Sequence, residues 1–171
     1  MSLVTLVGNP REGSRTRTVA EHAAALVADR LGHTGPGDVV DLAGLAPVLL
    51  APRPPSEVQA ALELVAGADV LLVASPTYKG TYTGLLKVFL DRLPSQALAG
   101  TTALPVLVMG DPRHALAVET HLRPLLVELG ANVPTPGLAL LEAEIAAPEE
   151  VLGRWADRVV PQIVRREGAR V

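Results

Sequence analysis

Cysteine is absent from these 171 residues, which excludes a disulfide framework and thiol chemistry. Histidine is scarce, and its four residues are scattered without metal-ligand spacing, so no metal site is expected. Aromatic residues make up 2% of the chain, namely Trp155, Tyr78, Tyr82 and Phe89. A site needing several stacking rings would have few to draw on. Surplus positive charge is missing too. The net charge of -3 argues against a nucleic-acid partner. No apolar run approaches the roughly 20 residues that span a bilayer. The N-terminus enters a strand directly, without a basic segment and an apolar signal core, so a soluble cytoplasmic protein with no membrane contact is expected. The 49% hydrophobic content excludes disorder, and the length suits one domain over 1–171.

The most informative stretch is the beginning. Leu3-Val4-Thr5-Leu6-Val7-Gly8 is a short apolar run with a β-branched bias and reads as a buried strand. Asn9-Pro10-Arg11-Glu12-Gly13-Ser14-Arg15-Thr16 is a polar turn. Apolar positions then recur at helical spacing: Val19, Ala20, Ala23, Ala24, Leu26, Val27 and Leu31. A helix N-terminus offers free backbone N–H groups and the positive end of a dipole. Ser14, Thr16 and Thr18 add hydroxyls, and Arg11 and Arg15 add charge suited to a phosphate. Many α/β proteins begin in this way with only a capped helix, so the loop alone leaves phosphate binding open. Gly8 and Gly13 have P-loop spacing, but Ser14 stands where that motif needs lysine, and no later strand ends in a magnesium-holding Asp.

Further along, Asp38–Leu42 reads as a second strand. The Pro-rich connection from Ala43 to Pro55 cannot be helical throughout. Ser56 is a plausible N-cap for a helix over 57–66. Val70–Ser75 is apolar throughout, as a strand covered on both faces should be. A polar loop with two tyrosines leads to a helix over 85–93 whose apolar residues cover more than one face. Such a helix is either deeply buried or at a subunit interface. A fourth strand ends at Met109, and a helix follows over 115–129 with Pro124 inside it. That proline removes the hydrogen bond to the Thr120 carbonyl, so a kink or bulge is expected near 120–123. A weak fifth strand lies within 132–141, and the last helix covers roughly 149–166, with Trp155 at core spacing and Arg165 and Arg166 at its end. Five βα units give a parallel sheet with helices on both faces. Ligands of such sheets bind beyond the carboxyl ends of the strands, where strand order reverses. The loops 8–16, 76–82 and 110–114 should therefore share one cleft.

Together these loops resemble the NADPH-dependent FMN reductase family, and within it the FMN reductases of two-component alkanesulfonate monooxygenase systems. Gly8-Asn9-Pro10-Arg11 with Ser14 is similar to that family's Gly-Ser-Pro-Arg loop, with Asn for Ser. Ser75-Pro76-Thr77-Tyr78-Lys79, then Tyr82-Thr83-Gly84-Leu85-Leu86-Lys87, resembles its second loop and interface helix. The likeness continues through Gly110, His114 and Leu122-Arg123-Pro124. Where some of these reductases insert a Tyr into the fourth helix as a π-type bulge, this chain has Thr120 and His121, which leaves the bulge and the roles of His114 and His121 open.

The resemblance implies a flavodoxin-like doubly wound sheet of five parallel strands in the order 2-1-3-4-5. It implies hydride transfer from nicotinamide C4, of NADPH or NADH, to FMN N5, with binding and access supplied by the protein and no acid–base residue required. On that reading the FMN phosphate falls to Arg11, Ser14, Arg15 and Thr16, with Asn9 in the same loop. Pro76, Thr77, Tyr78 and Lys79 lie along the ring and ribityl chain, and Gly110 and Asp111 border the ring. A homodimer or homotetramer through the helix 85–93, and a flavin-dependent monooxygenase partner, are also implied. A quinone or azo reductase with tightly bound FMN, and a flavodoxin-type electron carrier, are the competing functions.

Overall fold

The computed structural model describes residues 1–167, with side chains through Ile163, so the side chains of Arg165 and Arg166 lie outside the described residues. Five parallel strands form one sheet in the order β2-β1-β3-β4-β5: β1 Leu3–Val7, β2 Asp38–Asp41, β3 Val70–Pro76, β4 Thr102–Met109 and β5 Leu138–Leu141. The order and the parallel pairing are those expected. Every residue of β1, β3 and β4 is buried, because helices cover both faces. The two edge strands are only four residues long and half-exposed, which limits the open ladder they present.

One face is covered by α1 (Arg15–Leu31) and α6 (Glu149–Glu167). Val19, Ala23 and Val27 of α1 pack there with Leu152, Trp155 and Val159 of α6, over Leu72, Val106 and Leu140 of the sheet. Trp155 is thus a core residue, and its Nε1 donates to the Pro136 carbonyl at 3.2 Å. The other face carries a short α2 (Leu42–Leu45), α3 (Ser56–Ala66), α4 (Gly84–Leu90) and α5 (Arg123–Glu128) over Leu6, Leu71, Val73 and Leu107. Among the described residues no helix is long and apolar enough to cross a membrane.

Several boundaries differ from expectation. The stretch after β2 holds the short helix α2, whose N-cap Asp41 accepts from the Ala43 N–H at 3.1 Å. Ser56 is the first residue of α3 rather than its cap, and Pro55 stands at the cap position without a side-chain bond. The helix over 85–93 begins at Gly84 and ends at Leu90.

For the last of these elements, burial is the outcome seen for most of its apolar residues. Leu86, Phe89 and Leu90 are buried in the core of this one chain, leaving Leu85 and Val88 half-buried at the edge of that core. Burial under the sheet accounts for most of the apolar surface, so a charge at Leu86 or Phe89 would unfold the chain rather than separate subunits.

The expected break near Pro124 is a π-helical segment, Val118–Leu122, running directly into α5. The Arg123 N–H reaches back to the Val118 carbonyl, five residues away. Pro124, which has no N–H to give, follows at the point where the wider turn has already shifted the bonding register. Glu119 and Arg123 fix this segment to the connection before β5. Glu119 accepts from the Gly137 N–H at 2.7 Å and from the Arg123 guanidinium, and Arg123 also donates to the carbonyls of Val133 and Thr135. The bond from Arg123, followed by the one from Gly137, holds the Glu119 carboxyl below the usual carboxylate range.

Candidate functional site

The carboxyl ends of β1 and β3 are adjacent, with Val7 beside Ala74, while the strand order runs outward in both directions from this pair. The chain leaves β1 at Gly8, whose N–H donates to the Ala74 carbonyl at 2.8 Å. A Cβ on Gly8 would lie 2.7 Å from the Leu86 Cβ, so only glycine lets the loop lie this close to α4. Asn9 then shapes the turn. Its side-chain oxygen accepts from the Arg11 N–H at 3.0 Å, and its Nδ2 donates to the Thr16 hydroxyl at 3.0 Å. An Asn before Pro makes such a side-chain turn readily. Gly13 takes a positive φ of 59°. Ser14 caps α1 by accepting from the Arg17 N–H at 3.2 Å, which leaves its hydroxyl proton free to donate elsewhere.

Thr83 ties this loop to the next element. Its buried hydroxyl donates to the Gly8 carbonyl at 2.6 Å and accepts from the Leu86 N–H at 3.1 Å as the N-cap of α4. Its own N–H donates to the Ser75 hydroxyl at 3.0 Å. Thr83→Val keeps the shape and removes both hydroxyl bonds, leaving the Gly8 carbonyl buried without this donor. We expect a loss of about 1–3 kcal/mol in denaturant unfolding; a midpoint equal to wild type would contradict this role.

After β3 the chain turns at Tyr78–Thr81. The Tyr78 N–H donates to the Thr81 carbonyl at 2.8 Å, and Lys79 and Gly80 occupy the tip with φ of 55° and 84°. Two consecutive positive φ values describe a type I′ turn. Thr77 fastens the loop to β4, its N–H donating to the Val108 carbonyl at 2.8 Å.

These loops enclose a cleft of about 380 Å³. Asn9, Arg11, Ser14, Arg15 and Thr16 line one side, with Glu12 and Gly13. Pro76, Tyr78 and Val108 line the other, and Glu142 joins the lining beside Arg15. Most of the residues expected from sequence therefore meet in one place. Thr77, Lys79, Gly110 and Asp111 do not line it. Thr77 is turned to β4, Lys79 is at the tip of its turn, and Gly110 lies two residues beyond Val108 at the same rim. Asp111 caps the 3₁₀ turn Pro112–His114 and grips Arg113, whose guanidinium holds its carboxyl down to about 2. Thr18 bonds back to the Ser14 carbonyl and stays outside the cleft. Arg17 pairs with Glu21 and Asp41 instead.

The donor set suits a phosphate ester with an aromatic group attached. Two guanidinium groups, one hydroxyl and the unbonded N–H groups of the first turn of α1 converge on one side. Tyr78, 40% exposed, and Pro76 offer apolar surface on the other. Arg11 is exposed and makes no ion pair among the described residues, so its charge is available. Arg15 is bonded to Glu142 through Nη2 at 3.0 Å. Glu142 was missed by sequence reasoning. It is 127 residues from Arg15, and nothing in its local pattern marks it. A second groove, outside this cleft, is lined by Tyr82, Thr120, His121, Pro124 and Leu125. His121 and Tyr82 therefore belong with the π-helical segment rather than with the loop after β1.

The model of the NADPH-dependent FMN reductase family matches residues 1–144. The chain is 40% identical over 148 residues to an FMN reductase (NADPH) of Pseudomonas aeruginosa, covering 83% of this chain and 77% of that protein. It is 34% identical over 151 residues to the NADH-dependent FMN reductase SfnF of Pseudomonas fluorescens, covering 85% and 79%. Among solved structures it is similar to the apo form of the NADH:FMN oxidoreductase EMOB, with a TM-score of 0.84, 33% identity, and coverage of 95% of this chain and 87% of that one.

Proposed function

This chain belongs to the NADPH-dependent FMN reductase family, and from that premise we propose that the cleft beyond β1 and β3 holds FMN by its phosphate and that the reduced flavin passes to a separate flavin-dependent monooxygenase. The protein is an oxidoreductase, an NAD(P)H-dependent FMN reductase. Its relatives include enzymes named for NADPH and for NADH, and the chain is assigned to neither nucleotide.

The observation that carries the site reading is the junction of Arg11, Ser14 and the start of α1 with Tyr78 at the switch point of the sheet. Flavin and nicotinamide supply the redox chemistry, and the chain supplies binding and orientation. Arg11 and the first-turn N–H groups of α1 balance the phosphate charge. The Ser14 hydroxyl donates to it while still capping the helix. Asn9 keeps the loop in shape through Arg11 and Thr16. Pro76 and Tyr78 lie along the ring, and the rim at Gly110 has no side chain to crowd an approaching nicotinamide. Asp111 borders that rim as a residue committed to Arg113, and Thr77 and Lys79 act through the backbone of their turn.

Release to a partner fits a lining with only one aromatic residue, since a single ring cannot clamp a flavin from both sides. Assembly into a homodimer or homotetramer is assigned to the solvent side of α4, where Leu85 and Val88 remain half-buried; a monomeric sedimentation mass would contradict it.

The test follows NADPH and NADH oxidation by the purified protein with and without added FMN. Turnover that requires free FMN and saturates with it is expected. Nucleotide oxidation that ignores added FMN, with flavin retained through purification, would contradict release. No oxidation under any combination would contradict the reductase itself.

A further inference from the structure

The cleft assigned to a phosphate is lined by as many carboxylates as guanidinium groups. Arg11 and Arg15 contribute two positive charges, and Glu12 and Glu142 contribute two negative ones. A pocket shaped for tight anion retention would carry an excess of positive charge, because like charge near the anion opposes binding. Glu142 is the better placed of the two acids. It follows the last residue of β5, and its carboxylate takes the Nη2 of Arg15 at 3.0 Å. Stability does not explain the pair. Both side chains are substantially exposed, at 65% for Arg15 and 44% for Glu142, and such pairs add little to folding.

We infer that Glu142 is an affinity-setting residue: it competes with the flavin phosphate for Arg15 and so keeps FMN exchangeable. This rests on the phosphate lying in this cleft. Without ligand, Glu142 holds Arg15. When a phosphate arrives, either Arg15 turns to it and leaves the carboxylate unpaired beside a doubly charged group, or the pair persists and the phosphate loses one of its two guanidinium partners. Each route opposes a phosphorylated flavin and leaves riboflavin, which has no phosphate, unaffected. An enzyme that passes its flavin on has a use for such a brake, since tight retention of the substrate form would slow exchange.

The test measures FMN and riboflavin affinity by flavin fluorescence for wild type, Glu142→Gln, Glu142→Asp and Arg11→Ala, at low and high salt. Glu142→Gln is expected to tighten FMN about three- to tenfold at low salt, with the gain shrinking at high salt. The KM for FMN should fall in proportion, riboflavin affinity should not change, and Glu142→Asp should stay close to wild type. An unchanged FMN affinity in Glu142→Gln, with Arg11→Ala weakened, overturns the inference and leaves the phosphate site standing. Weaker FMN binding by Glu142→Gln overturns it by making Glu142 a support that aims Arg15. Equal tightening of riboflavin also overturns it, because the effect is then not on the phosphate. If neither Arg11→Ala nor Glu142→Gln changes FMN affinity, the phosphate reading itself fails.

Discussion

Phe89→Ala is expected to lower the unfolding free energy by about 3–5 kcal/mol, the usual range for emptying an aromatic site in a packed core. Phe89 is fully buried on α4, among Leu86, Leu90 and the sheet residues of the same face. No other ring in that cluster is fully buried, since Tyr82 only packs against its edge. A denaturant titration measures the loss. The result also decides what α4 does. A core helix loses the stability of the folded chain itself. A helix whose apolar face is covered only by a partner subunit would instead leave a folded, smaller species. Retention of wild-type stability in Phe89→Ala would contradict the placement of this residue.

Arg11→Ala is expected to weaken FMN binding by about 1.5–3 kcal/mol, roughly ten- to a hundredfold, as loss of a charge-assisted contact to a phosphate does. The fold should be unaffected, because the Arg11 side chain is exposed and its backbone N–H, which does shape the turn by donating to Asn9, is kept by alanine. Riboflavin should bind the variant as it binds wild type. Calorimetry of both ligands checks this, and an FMN affinity equal to wild type would remove Arg11 from the site. The contrast with Arg15 is instructive. Both arginines line the cleft, but only Arg15 is already bonded to a carboxylate. Truncating Arg11 therefore removes a free cation, while truncating Arg15 also frees Glu142, and the two losses should not be equal.

The fold was legible because its signals are local. The fully apolar runs of β1 and β3 mark strands covered on both faces, and the alternation with helices gives a parallel sheet whose ligand end is set by topology. Pro124 announced a break in its helix, and the π-helical segment lies where the missing donor required one. For the helix over 85–93 the sequence allows two outcomes, burial or interface, since apolar composition cannot say what covers a surface. The sheet covers most of it.

The cleft wall formed by the loop after β1 was legible because its residues are contiguous. Arg11, Ser14, Arg15 and Thr16 needed only a strand before them and a helix after. The contributions missed are those that depend on distance through space. Glu142 reaches Arg15 across 127 residues. Thr83 carried a sequence signal, a threonine ahead of an apolar helix, but its bond to the Gly8 carbonyl arises only from the way α4 meets β1. Asp111, expected to border the ring, has its carboxylate taken by a cap and by an arginine two residues on, an arrangement the sequence alone does not reveal.

Amide spectra of the isotopically labelled protein, recorded with FMN and then with riboflavin, test the central placement most directly. With FMN, the largest shifts should fall on the amides of residues 11–17 in the phosphate loop and first turn of α1, with smaller ones at Tyr78. With riboflavin, the loop shifts should largely vanish while those at Tyr78 remain. Equal loop shifts for both ligands, or FMN shifts centred away from residues 11–17, would contradict a phosphate held at the start of α1.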